Sequence, residues 1–171
     1  MKKYLSNFLS KKLFTGLMCI ILFPLIPWGL IFIMSICEVP PPKPEICYGE
    51  FPFKLEYMIG EEKITIEDSV ICEYAGIKWN EGIGKHRVWQ KRLKSCADEN
   101  PVMIRNKEYT VLCDVGSAEY YMNDPNRWTP EVISPHIYTV GGEYTQREII
   151  DKHKIKIISW EFSEPIVNRF K

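Results

Sequence analysis

The sequence predicts a mainly β protein: an antiparallel, sandwich-like domain with one or two short helices, preceded by one N-terminal transmembrane helix. Three observations carry that expectation. Residues 51–59 and 63–75 alternate apolar and polar side chains with a period of two, as half-buried strands do. A second alternating pair, 102–104 and 109–115, brackets a polar turn at Asn106-Lys107. Ahead of both lies a run without a single charge, from Leu13 to Cys37.

Taken in order, residues 1–12 hold Lys2, Lys3, Lys11 and Lys12 and no acid, a basic cytoplasmic flank. The run 13–37, as a helix rising about 1.5 Å per residue, reaches roughly 37 Å, enough to cross a hydrocarbon core of about 30 Å with some tilt. It exceeds the apolar region of about 7–15 residues in a cleaved signal peptide, and neither Cys19 nor Cys37 ends a convincing cleavage box, so a retained anchor is expected. Pro24 and Pro27 kink such a helix without forbidding it. Four lysines precede the run and only Lys43 follows closely, which places the N-terminus in the cytoplasm and residues 47–171 outside the cell membrane. Residues 38–46, with Pro40-Pro41-Pro42-Lys43-Pro44, read as a stiff polyproline-II linker.

In the outer domain, a hairpin turning at Glu61-Glu62 pairs Ile59 with Ile64, Tyr57 with Ile66, Phe53 with Val70 and Phe51 with Cys72. It leaves Leu55 opposite Asp68, where a bulge or the end of the buried face is expected. Residues 85–96 divide between a helical face and an edge strand. Val102 and Ile104 form one arm of the second hairpin, with Tyr109, Val111, Cys113 and Val115 on the other. Thr145 with Glu148 three residues on has the form of a capping box opening a short helix, and Lys154–Phe162 reads as the last strand.

Composition limits function. With 46% hydrophobic and 13% aromatic residues, 171 residues exclude a disordered chain and suit one ordinary domain. The net charge of zero argues against a nucleic-acid partner. That zero is an average: 1–37 is +4, and the 18 basic and 22 acidic residues beyond it sum to −4.

Candidate sites are few. Cys47, Cys72, Cys96 and Cys113 suggest two disulfides in an oxidising compartment, Cys72 with Cys113 and Cys47 with Cys96, or else free buried thiols acting as small hydrophobes. No close cysteine pair and no histidine ligand pattern among His86, His136 and His153 points to a metal, and no cofactor motif is present. Gly82-Ile83-Gly84-Lys85 fails as a phosphate loop, since Trp79 and His86 stand where glycine and a hydroxyl residue are needed. Lys85, Arg87, Trp89, Lys91, Arg92 and Lys94 form a basic run, either a contact for anionic lipid or wall polymer or an ordinary solvated face.

Cys113 within Thr110-Val111-Leu112-Cys113, with His86 upstream and Arg127 downstream, resembles a sortase, a cysteine transpeptidase. It differs in Leu112 before the cysteine, Asp114 after it and the nearness of His86. A broader likeness lies in residues 51–57 (FPFKLEY), 68–76 (DSVICEYAG), 79–89 (WNEGIGKHRVW) and 116–125 (GSAEYYMNDP), which resemble uncharacterised small bacterial membrane proteins with one N-terminal helix and a β-rich outer domain. That resemblance implies a topology and no catalytic residue. The expected function is therefore a single-pass membrane protein, held in the bilayer by 13–37, whose outer domain is a non-enzymatic module binding an envelope ligand or protein. A sortase-like transpeptidase using Cys113 is the alternative.

Overall fold

The computed structural model describes residues 25–125, 135–142 and 144–171. The flank 1–12, the first part of the predicted span (13–24) and Arg127 lie outside the described residues. Among the described residues, seven strands make two antiparallel sheets. The larger has the order β3-β2-β1-β7, from β1 (Tyr48–Ile59), β2 (Glu62–Asn80), β3 (Gly84–Leu93) and β7 (Ile155–Phe162); the smaller is β4 (Val102–Arg105), β5 (Thr110–Asp114) and β6 (His136–Val140), in that order. Three helices of the described residues accompany them: α1 (Leu25–Cys37), α2 (Ala118–Tyr121) and α3 (Gln146–His153). Contacts divide the chain into two compact units, one of residues up to Pro41 with the hairpin tip Ile77–His86, the other of Pro42–Gly76 and Arg87–Lys171.

In the second unit the alternation of β1 does what its period dictates. Phe51, Phe53, Leu55 and Tyr57 are buried while the residues between them are not. Leu55, Val70 and Cys72 of the larger sheet join Val111, Cys113 and Ile137 of the smaller one in a single core, with Met122 and Ile149.

The β1–β2 register differs from the expected one by two residues. Tyr57 faces Ile64, Leu55 faces Ile66 and Phe51 faces Val70, while Phe53 meets Asp68 and Ile59 meets Glu62. The turn is Gly60-Glu61, because a two-residue hairpin needs a positive φ at its first central position and Gly60 supplies one at +62°. A slip of two keeps every side chain on its face, so alternation alone does not choose between these registers. The bulge also moves: it interrupts β1 against β7 between Glu56 and Tyr57, where Glu56 meets Ser159 and Tyr57 meets Ile157, so Ile158 is passed over.

Elsewhere, residues 84–93 resolve as strand β3, with Arg87, Trp89 and Leu93 buried. In the second hairpin the Asn106 side chain accepts from the Glu108 and Tyr109 amides at 2.9 and 2.8 Å, closing the turn where it was expected. A register shift between Val102 and Ile104 turns Met103 fully into the core and leaves those two partly buried. Thr145 and Glu148 form the capping box of α3, and Lys154 ends that helix in the left-handed region, so β7 starts one residue later than expected. Strand β6 and helix α2, capped by Ser117, were not anticipated.

Residues 42–46 are no free spacer. Lys43 and Lys171 exchange backbone hydrogen bonds of 2.8 and 2.9 Å, the Glu45 amide donates to Arg169 at 2.8 Å, and the Asn168 side chain bonds both the amide and the carbonyl of Ile46. The extended backbone that proline favours is also a strand backbone. Because prolines alternate with Lys43 and Glu45, only residues able to donate face the C-terminal tail. Helix α1 has 13 residues, and among the described residues no helix is long and apolar enough to cross a membrane.

Candidate functional site

The basic run on β3 does not form one basic face, because the period of two sends its members opposite ways. Arg87 turns inward: its Nε donates to Asp124 Oδ2 at 2.7 Å and its Nη2 to Oδ1, a two-pronged pair with side chains only 1% and 2% exposed. Trp89, also buried, donates its indole N–H to the same carboxylate at 2.9 Å, while Arg87 Nη1 donates to the Pro42 carbonyl at 3.0 Å and the guanidinium lies over the Phe170 ring. Lys91 is drawn in as well, donating to Asn100 Oδ1 and to the Gly116 carbonyl at 2.8 Å. Arg92 and Lys94 remain outside, beside Glu73 and Glu50, and Lys85 in the other unit bonds Glu38. The cluster around Asp124 is a structural lock that gathers β3, the linker and the C-terminal tail.

All four cysteines of the domain are free thiols, so neither predicted pairing is made in this structure; Cys72 and Cys113 are buried, Cys47 and Cys96 exposed. Burial, with a smaller push from neighbouring Asp114, raises the Cys113 thiol to about 12. Burial also lifts Cys72 to about 12 against a small opposing pull from Lys91. A nucleophilic cysteine needs the reverse, an accessible and electropositive setting. His86, the partner expected of it, has its Nδ1 3.0 Å from the Gly84 carbonyl. Among the described residues no group of histidine, cysteine, aspartate and glutamate could hold a metal ion.

One polar group does stand out on the inner face of the larger sheet. Asp68 breaks an apolar stripe: Ile66 and Val70 precede and follow it on the same face of β2, Phe53 faces it across β1, and Phe162 lies beyond Phe53 on β7. Its carboxylate accepts from the Ser69 amide at 2.7 Å, the Ser95 amide at 3.2 Å and the Ser95 hydroxyl. Backbone bonds from Lys94 to Ser69 and from Leu93 to Asp98 hold the Ser95 loop in place.

Two clefts meet at this carboxylate. One, of about 360 Å³, has an apolar lining of Ile66, Leu93, Pro101 and Val102, with Asp68, Ser95, Cys96 and the Asp98–Arg105 ion pair of 3.4 Å around it. The other, of about 370 Å³, runs past Phe53 and Phe162 to Lys54, Glu67 and Glu161. Lys54 is 3.2 Å from Glu67, whose hydrogen bond raises the ammonium pKa. A carboxylate that still has about one of its roughly four lone-pair sites to offer, beside apolar walls, suits a ligand that pairs an apolar body with a hydrogen-bond donor or cation. Asp68 was legible only as an exception in the strand pattern, and Ser95 carried no signal. Compared with protein-family models, curated proteins and solved structures, the chain matches none of them.

Proposed function

We propose that this chain is a single-pass membrane protein whose β domain, outside the cell, is a binding module that seats an envelope ligand against Asp68. The observation that supports the module is the junction of two clefts at one carboxylate on an otherwise apolar sheet face. The uncharged run 13–37 behind a basic flank supports the anchor and its orientation. Transpeptidase chemistry at Cys113 finds no favouring observation, since that thiol is fully buried.

Cys96 lines one cleft, and Cys47, also exposed, lies in neither, which makes the pair a built-in reporter. Intact cells and purified full-length protein are each treated with a mild reductant and then with a membrane-impermeant maleimide. Both thiols are expected to react in intact cells, with Cys96 slowed relative to Cys47 and that difference gone in the purified protein. Labelling of both only after lysis overturns the topology, and an unchanged ratio overturns the occupied cleft.

A further inference from the structure

The tip of the β2–β3 hairpin, which lacks the pattern of a phosphate loop, carries two large apolar side chains on the surface. Trp79, just before the turn Glu81–Ile83, and Ile83, at its end, are 37% and 43% exposed, with Lys78 exposed nearby. The same compact unit fixes where this tip lies along α1. The Lys85 amide donates to Glu38 Oε1 at 2.8 Å, and Lys85 Nζ donates to the Glu38 carbonyl at 2.6 Å. Gly84, at φ +70°, lies so close that a Cβ there would collide with the Glu38 carboxylate. Glu38 is the first charged residue after the run 13–37, so the tip is pinned at the level where that run ends. Just before it, α1 exposes Trp28, Leu30, Ile33 and Ile36, apolar on more than one side, a pattern that calls for an apolar surround.

We propose that the tip is a second membrane contact, with Trp79 and Ile83 seated in the boundary between lipid headgroups and acyl chains, and Lys78 at the phosphates. This rests on the reading of residues 13–37 as a span. A tryptophan suits that boundary because its ring is apolar and its N–H needs a wet partner. Asn80 and Glu81 at the turn keep insertion shallow, and the Asn80 side chain closes the loop on the Gly82 amide at 2.8 Å.

The test uses full-length protein in vesicles of phosphatidylcholine and phosphatidylglycerol. A nitroxide is carried on a ketone-bearing unnatural residue at position 83 or, separately, at position 33, which leaves the native cysteines untouched. Collision with oxygen reports lipid, and collision with a water-soluble nickel chelate reports water. Both positions are expected to lose nickel accessibility several-fold relative to free label, position 83 less than position 33. Position 33 in lipid with position 83 in water overturns the tip contact and leaves the span standing. Both positions in water overturn the span and the contact together. Unreactive Cys72 and Cys113 in each labelled protein show that the fold is intact.

Discussion

Replacing Asp124 by Asn removes one charge from a pair that water does not reach. In the folded protein the carboxylate accepts two bonds from Arg87 and one from Trp89, with both charged side chains at most 2% exposed. An amide is the same size and can still accept from the indole, but it turns an NH₂ toward the guanidinium, donor against donor, and leaves Arg87 buried and unneutralised. Breaking a buried pair in this way costs about 3–5 kcal/mol, which for a domain of this size lowers the melting temperature by roughly 10–20 °C. Unfolding of the full-length protein in micelles is followed by tryptophan fluorescence, to which Trp89 contributes directly. The double change Arg87→Met with Asp124→Leu removes both charges and leaves the Trp89 N–H as the main unmade bond, at about 1–3 kcal/mol. It should therefore be no worse than Asp124→Asn alone. A loss below about 1 kcal/mol in the single variant, or a double variant equal to the sum of the two singles, would refute the account of the lock.

Three further outcomes follow from the core and the helix cap. Leu55→Ala, at a fully buried position, should cost about 2–5 kcal/mol, read as a lower denaturant midpoint at unchanged slope. With thiols raised from 9.0 to about 12, Cys72 and Cys113 favour the fold fully below pH 9; that contribution drains away as pH rises toward 12, so alkaline titration should unfold the domain as both thiols become reactive to Ellman's reagent. Thr145 lowers the Glu148 carboxyl below 4.5 through its amide and hydroxyl, so the stability this gives α3 is present above pH 4.5 and lost as pH falls through the lowered value; amide exchange in α3 should speed up there, and Glu148→Gln should flatten that dependence.

Strand faces were legible because burial on one face of a sheet imposes its period on β1, β2 and β5, and the capping box of α3 was legible because both partners lie within one turn. The β1–β2 register was not, since a slip of two preserves the faces and only the φ of Gly60 decides. Arg87 and Lys91 read as surface charges because a sequence does not show that Asp124, Asn100 and Gly116 are waiting for them. The candidate site was half visible: Asp68 broke the apolar stripe, but Ser95 and the walls at Pro101 and Val102 reach it only through tertiary packing. Met103, and not Val102 or Ile104, takes the fully buried position of β4 through a bulge that alternation does not encode.

The antiparallel clip between residues 43–46 and 168–171 also sets an order of events during synthesis. Strand β1, the first of the described strands to leave the ribosome, lies between β2 and β7, and the residues just ahead of it wait for residues 168–171. Pairing across nearly the whole domain is slow to close. Until residues 168–171 are released, the Lys43 carbonyl and the Lys43 and Glu45 amides have no partner backbone to meet, and Phe170 does not yet lie against Arg87. A message stopped after codon 167 would thus yield a chain with every described strand of both sheets but with residues 43–46 left untied.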